Sequence, residues 1–238
     1  MANYDYDLTA SHDPFAMDAA LDERSAFIRK TYLTLIGAIA LFGGLEFLFL
    51  SNLQLKASML GLIGGHWWIA LLAYMGVSFL AQRWAESGAS ATVQYLGLGL
   101  YTVAEALIFV PLLAIASRVS PDIVPSAGLI TVVTFGGLTG IVLMTKADFS
   151  FLRTGLSVLS FLALAVALAG MFIGFRLGIV YSGAMVALMA GWILYDTSNV
   201  LHHYRTSQHA AAALALFSSL STLFWYVIRL LIQMQQDD

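Results

Sequence analysis

Hydrophobic residues fill this chain in seven blocks that contain no Asp, Glu, Lys or Arg: 31–45, 57–82, 87–104, 123–145, 154–175, 177–195 and 206–228. With one acid admitted to two of them, Glu46 and Glu105, each is long enough to cross a hydrocarbon core of ~30 Å, which takes about 20 helical residues. Only helices and closed barrels satisfy their backbone polar groups inside lipid. The blocks are nearly continuous in Leu, Ala, Val, Ile, Phe and Gly, without the alternation of barrel strands and beyond their length. The pattern predicts an all-α polytopic membrane protein, a compact bundle of seven transmembrane helices over roughly 31–53, 66–83, 92–114, 124–145, 152–173, 178–200 and 211–232. Small residues recur within the blocks, as at Gly97, Gly99, Gly136, Gly137 and Gly140. In lipid they let helices approach closely.

The polar segments complete the layout. Residues 1–28 read as a polar, acidic cytoplasmic tail without fixed structure, since six of the 14 acids (Asp5, Asp7, Asp13, Asp18, Asp22, Glu23) fall there. Residues 29–233 form the transmembrane domain, and 234–238 a short polar C-terminal tail. The beginning of the chain lacks the basic stretch and apolar core of a cleaved signal. With seven spans, Arg24, Arg29, Lys30, Arg83, Lys146, Arg153 and Arg205 share one side, and Lys56, Arg118 and Arg176 the other. Cytoplasmic loops carry the excess of Lys and Arg. The expected topology is therefore a cytoplasmic N-terminus and an external C-terminus.

Composition narrows the chemistry. The hydrophobic fraction is 60% and there is no cysteine, which removes disulfides, thiolate metal sites and cysteine catalysis. No basic face exists for nucleic acid. The last block has no lysine for a Schiff base, and the chain has no HExxH helix and no phosphate-cradling glycine loop. His202, His203 and His209 are spaced so that neighbours point to different faces, which argues against a metal cluster. Neither an enzyme nor a cofactor is expected.

Four charges lie within the spans, where each one costs a few kcal/mol and asks for a partner or a role. Glu46 sits in the outer half of the first span and reads as a carboxylate reaching towards the interface. Arg229, near the end of the last, reads as a snorkelling side chain. Glu105 is about half-way across the third span, with Pro111 six residues on as a source of a kink. Asp196, in GWILYDTSNVLHHY, shares a helix face with Trp192 and Asn199. It should meet the hydroxyl stripe Ser218, Ser219, Ser221 and Thr222 of the last span, which can hydrogen-bond a carboxyl in either protonation state.

These segments, with the loop TKADFSFLRTGL, the span end YDTSNVLHHY and the segment LFSSLSTLF, resemble the Bax inhibitor-1 family over roughly residues 25–232, and within it the bacterial YccA-like branch. The resemblance implies a seven-helix fold in a bacterial inner membrane. It also implies a pH-sensitive leak for calcium or other cations, gated by two facing aspartates that share a proton. For the YccA-like branch it implies binding to, and restraint of, the membrane-bound AAA protease FtsH. Asp196 matches the first aspartate, whereas Ser219 stands where the second would be. Two close carboxylates split their titration, and a lone Asp beside serines does not. The expectation is therefore a modulator of a membrane protease, with the cation leak as the alternative and a secondary transporter third. Glu105 is then a candidate substitute acid elsewhere in the same cavity.

Overall fold

The computed structural model describes residues 13–65, 67–86, 90–175 and 177–236. Among them are eight helices: α1 (Leu21–Ser51), α2 (Leu53–Gly65), α3 (Trp67–Glu86), α4 (Ala91–Val119), α5 (Ile123–Thr145), α6 (Leu152–Ile173), α7 (Ile179–His202) and α8 (His209–Gln236). Six of them, α1 and α4 to α8, are long and apolar enough to cross a membrane. Six of the seven expected spans are thus present as long apolar helices. The helix at the predicted second span, α3, carries Gln82, Arg83 and Glu86 in its last turns and is not among the six.

Two further boundaries differ from the sequence reading. The helix α1 starts at Leu21 rather than at 31, with Asp22 and Glu23 in its first turn, where acids favour the positive end of the helix dipole. The structureless tail expected over 1–28 therefore stops short of this helix; its first twelve residues lie outside the described part of the chain. The helix α2 falls in a stretch read as connection. Asn52 closes α1 and caps α2, its Oδ1 accepting from the amides of Gln54 (3.1 Å) and Leu55 (3.0 Å). At 13 residues α2 is too short to span. The last tail, 234–238, is helical through Gln236, and residues 237 and 238 lie outside the described part.

The helices α4 and α8 form the centre. Contacts from α8 run to α1, α3, α4, α5 and α7, while α6 packs against α7 alone. An aromatic cluster joins α1, α4 and α8: Phe109 meets Phe42 edge-on at 5.0 Å, Trp225 edge-on at 5.0 Å and Phe224 stacked at 5.7 Å. Such pairs add to the gain from contact area alone. Pro111, expected as a source of a kink, lies inside α4, which continues through it to Val119. Left-handed residues end two helices, Lys146 (φ 52°) after α5 and Gly174 (φ 84°) after α6.

The connections gather at two ends. At one, the Ala16 amide donates to the Tyr204 carbonyl (2.8 Å), Phe15 pairs with Arg205 in an isolated bridge, and Tyr95 at the start of α4 meets His209 (2.9 Å). The Asp13 carboxylate accepts from Ser207 Oγ (2.7 Å) and the Ser207 amide (3.1 Å). The segment before α1 is thus strapped onto the α7–α8 loop. At the other end, Gln233 near the close of α8 donates to the Leu177 carbonyl between α6 and α7 (2.8 Å).

The pairing of α3 with α4 depends on one missing side chain. A Cβ at Gly97 would sit 2.6 Å from the Ala81 carbonyl oxygen and 2.8 Å from the Ala85 amide nitrogen, whereas at Gly99 it would meet nothing within 4 Å. Gly97→Ala should therefore separate the helices at a cost of about 1–3 kcal/mol. Gly99→Ala should be neutral or stabilise by up to about 1 kcal/mol. Unfolding midpoints in detergent compare the two, and equal midpoints would show that close backbone approach at Gly97 does not set the packing.

Candidate functional site

The central helix α8 presents hydroxyls to both sides, and each side meets a buried acid. On the α7 side, Ser219 donates to Asp196 Oδ2. Asp196 is 7% exposed. Towards α3 and α4, Glu105 is 5% exposed. Its Oε1 accepts from Tyr101 (2.8 Å) and from Tyr74 of α3 (2.9 Å), with Ser221 Oγ at 3.2 Å. Ser218 Oγ lies 2.9 Å from the same Tyr101 hydroxyl. Three donors on one carboxyl oxygen answer the high cost of leaving such a group unpaired in a low-dielectric interior.

Ser218 and Ser219 also line one cavity of about 410 Å³, together with Asp196, Trp192, Thr222 and Gln82 of α3. Thr222 returns its hydroxyl to the Ser218 carbonyl (2.8 Å), and Trp192 donates to Ser160 of α6 (2.9 Å). Asp196 therefore opens on the cavity directly, and Glu105 reaches it through Tyr101 and Ser218. The cavity is roomy and polar enough for several waters.

Most of the sequence-derived site residues converge here: Asp196, Ser218, Ser219, Thr222 and Glu105. Three do not. Asn199, expected beside Asp196, lies one turn closer to the loop end and lines a different cavity with Arg153 and His203. Glu46, expected to reach the interface, is 5% exposed, and neither carboxyl oxygen has a hydrogen-bond partner among the described residues. Arg229 is half-buried, its guanidinium 5.9 Å from the centre of the Tyr226 ring. The histidines turn to separate partners: His202 Nδ1 lies 2.9 Å from the Ser198 carbonyl, His203 faces Asp148, and His209 meets Tyr95.

Sequence reasoning missed Tyr74, Tyr101 and Gln82, which no local motif marks, and it missed Ser198. Ser198 Oγ accepts from the Phe149 amide (2.8 Å) and lies 3.3 Å from Asp148 Oδ1, pinning the α5–α6 connection to α7. Its only signal was position, two residues beyond Asp196 and so on another face of the helix.

Two consequences are testable. Tyr101→Phe removes the hydroxyl shared by Glu105 and Ser218 and should cost about 1–3 kcal/mol, read as a lower unfolding midpoint in detergent; an unchanged midpoint would show that the link is dispensable. In the α5–α6 connection, the Ser150 amide donating to Asp148 holds its carboxyl below the usual carboxylate range, helped by His203 and His202 nearby. A lowered folded value stabilises above the unfolded value and is lost as the pH falls through the folded one. The loop should thus loosen only on the acid side, seen as faster amide exchange at Ser150 after correction for intrinsic rate. Asp148→Asn should abolish that acid-side change, and its persistence in the variant would assign it to another group.

The family profile described as "Inhibitor of apoptosis-promoting Bax1" matches residues 24–237. Bax inhibitor 1 of Schizosaccharomyces pombe is 26% identical over 229 residues, covering 93% of this chain and 81% of the yeast protein. An uncharacterised protein of Campylobacter jejuni is 27% identical over 225 residues, 91% of this chain and 92% of the relative. The Golgi anti-apoptotic protein of vaccinia virus (strain Lister) matches 132 residues at 26% identity, 55% of this chain and 54% of the viral protein. The matched span takes in every helix that carries the acid and hydroxyl cluster, and the chain belongs to the Bax inhibitor-1 family.

Proposed function

We propose that this protein is a cation leak whose rate is set by protonation inside the bundle, with Asp196 and Glu105 as its titrating groups. One observation carries the reading: two buried intramembrane acids on opposite sides of α8 both connect to hydroxyls lining a single cavity. An intramembrane ionisable group facing a cavity marks an ion or proton path. The other titratable groups in hydrogen-bond contact with the cluster are Tyr74 and Tyr101. The distance that separates a serine-facing Asp196 from the family's carboxylate dyad is bridged here by Glu105 and the α8 hydroxyls.

In this reading α3 is the seventh crossing. It leaves the end that holds α2, and its last turns, Ala81 and Ala85, pack with Ala16 and Phe27 at the strapped end. The Lys and Arg surplus then lies at the strapped end, which is cytoplasmic, and the C-terminus is external. The long match to a bacterial relative supports a bacterial inner membrane as the setting. A second reading, binding of an FtsH-like AAA protease, draws on the exposed acids Asp18, Asp22 and Glu23 beside the α7–α8 loop. That cytoplasmic surface is where such a partner would engage.

Cation flux from purified protein in liposomes decides between them. Wild-type flux of Ca²⁺ should vary between about pH 5 and 8. Asp196→Asn, which mimics the protonated acid, should flatten most of that variation, and the double variant with Glu105→Gln should hold the flux at one level. Ser219→Asp would place two carboxylates together and should split the response into two steps, the upper one moved towards neutral pH. Absence of flux from the wild-type protein across that range would overturn the leak and leave the protease reading, for which a pull-down from native membranes is the test.

A further inference from the structure

A second cavity, of about 390 Å³, opens at the strapped end between the start of α6, the end of α7 and the α7–α8 loop, lined by Ser150, Arg153, Tyr195, Asn199, His203 and Tyr204. It shares no lining residue with the Asp196 cavity. No carboxylate lines it. The nearby Asp148 is turned to the Ser150 amide (2.8 Å), to Ser198 and to His203 (4.0 Å). The guanidinium of Arg153, the amide of Asn199 and the hydroxyl of Tyr195 hold no hydrogen-bond partner among the described residues. Arg153 also lies in the first turn of α6, where the Leu152 and Arg153 amides donate to the Phe149 and Ser150 carbonyls and leave the guanidinium as the cationic donor. A cavity with a free guanidinium, neutral donors and no acid matches a phosphate group, which arginine engages through two parallel bonds.

We propose that this cavity binds the phosphate of an anionic phospholipid headgroup. Its position favours the lipid over a free anion. The cavity sits where α6 leaves the loop end, and the outward face of α6 below it is apolar, with Val158, Phe161, Leu162 and Leu164 exposed. A headgroup held by Arg153 therefore places its acyl chains along that face, beside α7. The site is independent of the leak: it uses neither Asp196 nor Glu105.

The test is titration of the full-length protein in detergent micelles with short-chain phosphatidylglycerol, short-chain phosphatidylcholine and inorganic phosphate, with binding read as a thermal shift. Phosphatidylglycerol should bind more tightly than phosphatidylcholine. Arg153→Gln should weaken it about ten-fold or more, as expected for loss of a charged hydrogen-bonded pair. Asn199→Ala, which removes a cavity-lining amide without a protein partner, should weaken it to a lesser degree. Arg83→Gln, a cation at the same end outside the cavity, should leave it unchanged. Binding of inorganic phosphate with the same dependence on Arg153 would support the site with the free anion as its ligand. Equal loss in Arg83→Gln, or wild-type binding in Arg153→Gln with a wild-type melting midpoint, would overturn it.

Discussion

The centre of this bundle follows from one constraint: a carboxyl group inside a membrane is costly to leave without a partner, and of the three buried acids among the described residues only Glu46 lacks one. Glu105 and Asp196 meet that requirement through hydroxyls, and almost all of those hydroxyls sit on or against α8. A helix that serves acids on two sides cannot face lipid on either. It is therefore central, and α3, α4 and α7 are drawn around it. The apolar half of the core, the cluster of Phe42, Phe109, Phe224 and Trp225, lies on the same helices and holds them at the spacing the hydroxyls need. Packing and polar satisfaction are in this sense one structural problem with one solution.

The cavity follows from that centre: it lies against the central helix α8, between α7 and Gln82 of α3. The strap of Asp13 to Ala20 on the α7–α8 loop fixes the facing ends of α7 and α8 relative to α1. The Ser198 contact to Phe149 does the same for the α5–α6 connection. The loop end and the polar interior thus divide the labour: one sets register, and the other holds the buried acids.

Much of this was legible in the sequence because lipid makes the code simple. Absence of charge over about 20 residues identifies a spanning helix, and six of the seven blocks became long apolar helices. The acid Asp196 and its serine partner were also readable, since both sit on strongly patterned helices and i, i+3, i+4 spacing fixes which face they share. The family resemblance and the family match agree. Most other contacts between helices could not be read. Tyr74 and Tyr101 look like ordinary interfacial or core aromatics, and only the packing of α3 on α4 turns them towards Glu105. Asn199 was misplaced because helical spacing gives a direction but no depth. One turn along α7 moves a side chain from the Asp196 cavity to the loop end. The early start of α1 and the short α2 were hidden because charges near them read as connection, whereas acids in a first turn and an Asn cap favour helix.

The central claim is that α8 couples the two acids. Infrared difference spectra of the protein in lipid, taken across a pH titration, resolve the C=O stretch of protonated carboxyl groups, and Glu105→Gln identifies the band that belongs to Glu105. If the hydroxyl seam joins the acids, Asp196→Asn should shift that band or its titration midpoint, and Tyr101→Phe should remove the shift. A Glu105 band that titrates identically with and without Asp196 would contradict the account.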